Sequence, residues 1–159
     1  MTKTGIRSGP LAGRRGAVTV EVALTLPVFA IFLAGLMEFG HVFMVSNTLN
    51  AAARSGARLG AVEGVTTSQV LSRVNTVVSK TFPSGKATAI VRDASVFDTA
   101  GVNPTTINFD TLPSKDLSTA KTGDLFAVQV RVSYTSVALL PPYWFKGHNI
   151  TGMALVRHE

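Results

Sequence analysis

Apolar residues are distributed very unevenly along the chain. From Val22 to Met37, sixteen consecutive residues carry no charge, and widening the window to Ala17–Val45 admits only Glu21, Glu38 and His41 as ionisable groups. A bilayer-crossing helix needs about 20 residues at 1.5 Å each, so the run predicts a membrane-spanning helix. Pro27 lies inside it and lacks a backbone donor, which predicts a kink or local unwinding. The helix is expected to continue to about residue 62 through SNTLNAAARSGARLGA, where Ala52, Ala53, Gly56, Ala57 and Gly60 recur at helical spacing. Small residues in that register let two helices approach closely. The face they form is either a seam against helices of other chains or the side on which this helix lies on its own domain.

Gly64 and the two threonines after it break the pattern. Thr66 and Gln69 match a capping box that opens a second helix. Val70, Leu71, Val74, Val77 and Val78 then form one apolar stripe, and Pro83 and Gly85 end it. The period changes to two afterwards. ATAIVR (87–92) reads as a strand, SVF (95–97) as a looser one, and residues 99–124, rich in Thr, Ser, Gly, Pro and Asp, as loop. In LFAVQVRVSYTSV, Val128, Val130, Val132 and Tyr134 alternate with Gln129, Arg131 and Ser133, which predicts a strand with one buried and one wet face. PPYWF (141–145) reads as a turn carrying Trp144, and ITGMALVRH (150–158) as the closing strand. The expected fold is α+β: a long N-terminal membrane-spanning helix, then a small extracytoplasmic domain of one helix packed on a three- or four-stranded antiparallel sheet. The divisions are a leader (1–16), the helix (17–62) and the domain (63–159).

Composition sharpens the picture at the N-terminus. A pI of 10.2 and a net charge of +6 would fit a nucleic-acid binder. Yet Lys3, Arg7, Arg14 and Arg15 sit in the first fifteen residues with no acid among them, and removing those four leaves +2 for everything else. The basic character belongs to a leader, so no nucleic-acid partner is expected. The same cluster orients the span: Lys and Arg stay on the cytoplasmic side and the C-terminal part crosses. No cysteine is present, which excludes disulfides and thiolate metal sites.

Glu21 needs an explanation, because a carboxylate inside a span costs on the order of 3 kcal/mol and such groups usually face a partner. A cleaved secretory signal does not fit, since MEFGHVFMVSN follows the apolar core with no small-x-small pair in place. A plain uncleaved anchor leaves Gly16 and Glu21 unexplained. A cut between Gly16 and Ala17 uses both: it discards the basic leader, creates an α-amino group on Ala17 and leaves Glu21 fifth in the mature chain.

This arrangement resembles the processing site of type IV pilin-like proteins. More narrowly, GAVTVEVALTLPVFAIFLAGLMEFGHVF followed by NAAARSGARLGA is similar to the TadE-like family of minor pilins, in its V-E-x-A-L-x-x-P start, its E-F-G at the exit and its A-A-R-x-G-A-R segment. The terminal LVRHE is a looser similarity. Val22 departs from the family, where an aromatic residue often follows the glutamate. The resemblance implies a pseudopilin-type component of a tight-adherence pilus that supports surface adhesion. Its partners would be a prepilin peptidase, other pilins, pilus assembly proteins and the inner membrane, and Glu21 would pair with the Ala17 amine of its own or a neighbouring chain.

Other chemistry is sparse. His41, His148 and His158 are dispersed, and no phosphate-binding loop occurs. Asp93, Asp98, Asp110, Asp116 and Asp124 could hold a cation but are better explained as turn acids. Arg54 and Arg58 read as solvated or phospholipid-facing charge. Tyr143, Trp144 and Phe145 form either an exposed adhesive patch or, the reading preferred here, packing under the sheet. No catalytic residue, metal, cofactor or small-molecule substrate is expected. Two functions remain: a processed, assembled pilin-like subunit, or a permanently anchored envelope protein whose external domain binds a ligand or partner. Only the first needs Glu21.

Overall fold

The computed structural model describes residues 12–103 and 106–159. The first eleven residues, with Lys3 and Arg7 of the expected leader, lie outside the described residues. Helix α1 runs Ala12–Gly60 and continues across Pro27 without unwinding. The chain divides into two compact units inside this helix, at Met37 and Glu38.

In the first unit every residue from 16 to 34 is exposed, including Leu24, Leu26, Val28, Phe29, Ile31 and Phe32. Among the described residues none buries this surface, and its mean hydropathy is 2.2. The segment fits a single-pass membrane anchor.

The second unit, Glu38–Glu159, has the expected α+β architecture. Helix α2 (Thr67–Val78) opens with the capping box read from the sequence: Gln69 N donates to Thr66 Oγ1 at 3.4 Å and Thr66 N donates to Gln69 Oε1 at 2.8 Å. Strands β1 (Ala87–Asp93), β2 (Leu125–Ser133) and β3 (Asn149–Arg157) form a sheet in the order β1-β2-β3, antiparallel throughout. A short helix α3 (Tyr134–Val137) lies between β2 and β3.

The core is built from three stripes. Val45, Leu49, Ala52, Ala53 and Ala57 come from α1, Val70, Val74 and Val78 from α2, and Phe126, Val128, Val130 and Val132 from one face of β2. The small residues of α1 are used here. A Cβ on Gly56 would meet Val74 Cγ2 at 2.5 Å, and one on Gly60 would meet the Leu117 side chain at 2.9 Å and Phe126 and Val70 at 3.1 Å. Of the two readings of this face, the structure has Ala53, Gly56, Ala57 and Gly60 buried against the chain's own α2 and sheet. The face is occupied within the chain and not open to the helix of another copy.

The far end of α1 is tied to the C-terminus. The last turn of a helix leaves carbonyls without partners; here the Gly60 carbonyl lies 2.9 Å from His158 Nδ1, and the Ala61 carbonyl accepts from Glu159 N at 2.8 Å. The terminal LVRHE therefore closes the domain over the helix end.

Four expectations need correction. The segment SVF is a 3-10 turn (Ser95–Asp98), not a strand; Asp93 Oδ1 accepts from Ser95 N at 2.9 Å and turns the chain away from the sheet just after β1. Strand β2 has no wet face along most of its length. Leu125 and Ala127 are covered by Ala94, Phe97 and Phe109, and Gln129 is 4% exposed, since the 94–124 segment folds over the second side of the sheet. Tyr134 leaves the strand and starts α3, buried in the main core. Finally, Tyr143 and Trp144 do not pack under the sheet, as described next.

Candidate functional site

Three residues from the processing pattern share α1. The Gly16–Ala17 bond lies within the helix, and a Cβ on Gly16 would meet nothing within 4 Å. Glu21 lies four residues beyond Ala17, so the two occupy one helix face. Glu21 is exposed, and among the described residues its carboxylate has no hydrogen-bond or ion-pair partner. Its backbone carbonyl accepts a second bond, from Thr25 Oγ1 at 2.8 Å.

A second carboxylate, Glu38, behaves in the opposite way. It follows the apolar run directly and is only 9% exposed. Its Oε2 accepts from the backbone N–H groups of Tyr143 and Trp144, each at 3.2 Å, and its Oε1 accepts from that of Phe145 at 2.9 Å. Three consecutive amides converging on one ionised side chain make a strong, charge-assisted clamp. It holds the PPYWF turn against α1. Phe39, next on the helix, meets Phe145 edge-on at 5.1 Å and Trp144 at 6.5 Å. Phe145 also packs edge-on against Tyr134. Gly147, at φ 76°, supplies the left-handed step that turns the chain back, and its N–H donates to Thr135 Oγ1 at 3.0 Å.

The sequence reading noted Glu38 only as an ionisable residue and part of E-F-G. Its position at the end of an apolar run, with an aromatic turn downstream, was the available signal. No local pattern, however, links residues more than a hundred positions apart.

The histidines remain dispersed in space. His41 Nδ1 lies 3.2 Å from Tyr134 Oη, His158 is buried at the end of α1, and His148 stacks edge-on with Phe145. The aspartates are engaged within the fold. Asp98 pairs with Arg157 and Asp110 with Arg131, while Lys115 Nζ sits 2.9 Å from Asp124 and 3.7 Å from Asp93. Asp116 accepts from Ser118 N at 3.1 Å and Thr67 Oγ1 at 3.0 Å. These bonds keep the carboxyls of Asp93, Asp110, Asp116 and Asp124 below the ordinary aspartate range. Arg54 and Arg58 are exposed and line an open groove of about 690 Å³ with Arg73, whose Nε donates to Ser55 Oγ at 3.0 Å.

No curated protein and no solved structure is significantly similar to the chain. The family model described as TadE-like protein matches residues 16–58, which run from the glycine before the apolar helix to the second arginine of the A-A-R-x-G-A-R segment. Over this segment the chain is similar to the TadE-like proteins.

Proposed function

We propose that this protein is a pilin-like structural subunit of a tight-adherence pilus, processed after Gly16 and assembled through its N-terminal helix. The leader stays in the cytoplasm, the helix crosses the inner membrane, and the domain from Glu38 onward lies outside. A prepilin peptidase removes the leader. Other pilins and pilus assembly proteins are the partners, and surface adhesion is the outcome; the role is non-catalytic. The observation that carries this reading is Glu21, an exposed carboxylate on an apolar helix face, four residues from the Ala17 nitrogen and inside the matched segment.

The chemistry follows from that placement. An isolated charge in a low-dielectric environment is costly, and a pair is tolerated only when both members are present. Cleavage creates the Ala17 amine and discards the leader's positive charges in one step. Glu21 is then the counter-charge for an amine on its own or a neighbouring chain. The exposed apolar surface from Val18 to Met37 is covered first by lipid and afterwards by other helices.

N-terminal sequencing of membrane-purified protein should give Ala17 as the first residue. Gly16→Leu should leave the longer precursor, and the open space around Gly16 means that its effect falls on the peptidase and not on folding. An intact Met1 or Thr2 terminus in the wild type would instead support a permanent anchor. Glu21→Val should still insert and be cleaved, yet recover fewer partner pilins from detergent extract at equal membrane abundance. Equal recovery would remove the assembly role of the glutamate.

A further inference from the structure

The clamp on Glu38 presents more than a turn. The segment 139–146 reads LLPPYWFK, and apart from Phe145, which packs against the core, its large side chains are exposed: Leu139 is 79% exposed, Tyr143 81% and Trp144 40%. Phe39 and Phe43 on the adjoining helix turns are exposed as well. Trp144 joins the two, meeting Phe39 at 6.5 Å and Tyr143 at 5.0 Å, so the turn and this part of the helix present exposed apolar surface with Lys146 beside it. The patch is fastened to Glu38, the residue at which the uncovered apolar run ends.

We propose that this segment is a membrane-interface anchor. On this reading Leu139, Leu140, Tyr143 and Trp144 dip into the headgroup region of the same bilayer that α1 crosses, while Lys146 reaches the phosphates. Three observations select lipid as the occupant. The patch is fastened to Glu38, which follows directly in the chain on an apolar run whose large side chains are exposed among the described residues. Its composition is that of an interfacial belt, where the amphipathic rings of Trp and Tyr sit at headgroup level and Lys extends its charge outward. The length also agrees, because Ala17–Met37 spans about 31 Å, close to the hydrocarbon thickness, so residue 38 marks a boundary. Glu38 then has a definite task. It accepts three amides of the turn and so holds the aromatic segment at that boundary, where a polar backbone left unpaired would be costly.

The inference rests on α1 being membrane-inserted, and the test separates the two. Trp144 is the only tryptophan in the chain, so its fluorescence reports this segment alone. The full-length protein is reconstituted into phosphatidylcholine vesicles whose acyl chains are brominated either near the glycerol backbone or at mid-chain. Flotation of the vesicles reports insertion of the helix independently. The proposal expects flotation, with Trp144 quenched more strongly by the shallow bromines than by the deep ones. It also expects Leu139→Ser/Leu140→Ser/Tyr143→Ser, which alters only exposed or half-exposed side chains, to float equally but lose most of that quenching. Glu38→Ala should reduce it too. Flotation without bromine quenching overturns the proposal and leaves the membrane anchor standing. Protection of Trp144 from aqueous acrylamide without bromine quenching overturns it in favour of a protein covering. Failure to float removes the anchor and the proposal together.

Discussion

Glu21 and Glu38 are the same side chain, seventeen positions apart on one helix, in opposite situations. Glu21 faces outward with no described partner, whereas Glu38 is wrapped by three amides of a turn more than a hundred residues away. Their substitutions should therefore separate cleanly. Glu38→Ala in detergent-solubilised protein should lower the midpoint of thermal unfolding, with Glu38→Gln intermediate because one acceptor oxygen remains, while Glu21→Val leaves it unchanged. An unchanged midpoint in Glu38→Ala would mean that the clamp adds nothing to the fold. Gly152 gives a sharper test. A Cβ there would meet the backbone of Leu49 and Asn50, so β3 lies directly on α1. Alanine normally favours a strand over glycine, yet here Gly152→Ala should destabilise by about 1–3 kcal/mol, as overpacking does. Gly64→Ala, with open space around its Cβ, serves as the comparison for cost due to positive φ alone. Denaturant midpoints decide it, and a stabilised Gly152→Ala would contradict the contact.

At the scale of elements, the two parts of α1 serve two environments. Up to Leu36 its large apolar side chains point outward all round; from Glu38 onward Val45, Leu49, Ala52, Ala53, Ala57 and Gly60 mark a single buried stripe. The apolar run and the small-residue register make both halves legible, but not which partner the second half has. Helix α2 was readable almost in full, because its start depends on a local reciprocal bond between Thr66 and Gln69 and its face on a simple repeat. Thr66→Ala should cost about 1 kcal/mol, the usual value of an N-cap. A change within error in the chemical unfolding midpoint would show that tertiary packing alone holds the helix. Strand β2 was legible as a strand and misleading as a surface. Alternation of Val with Gln and Arg normally marks water on one side, but here the 94–124 segment returns over it, and Gln129 donates to Asp110 at 2.7 Å and accepts from Arg92 at 3.2 Å.

The domain as a whole is laced by carboxylates whose charged forms are favoured. Asp124 is held down chiefly by Lys115, Asp110 by Arg131 and then Gln129, Asp93 chiefly by the Ser95 amide and Asp116 chiefly by the Ser118 amide. A folded-state value depressed below the unfolded one contributes stability above the unfolded value, and that stability disappears as pH falls through the folded value. Thermal midpoints should thus be flat from neutral pH to somewhat above the unfolded aspartate value of about 3.9 and fall steadily below it. Lys115→Met should soften that fall, since Asp124 loses the main group that depresses it. A midpoint that rises on acidification would reverse the sign and refute this account.

Sequence alone determined whatever depends on near neighbours. The long apolar helix follows from an unbroken apolar run, α2 from a capping pair and a 3.6-residue repeat, and the strands from period two, while the spacing of Gly16 and Glu21 supplies the proposed processing pattern. Those features act over one or two helical turns, a range that composition and periodicity encode directly. Tertiary structure decided which surfaces meet. It turned the small-residue face of α1 toward its own α2 and sheet, folded the 94–124 segment over β2, and brought residues 143–145 to Glu38. Each of these is a close approach between segments far apart in the chain. A one-dimensional pattern states that a face is apolar, small or charged, while only the packed chain determines what comes within bonding distance of it.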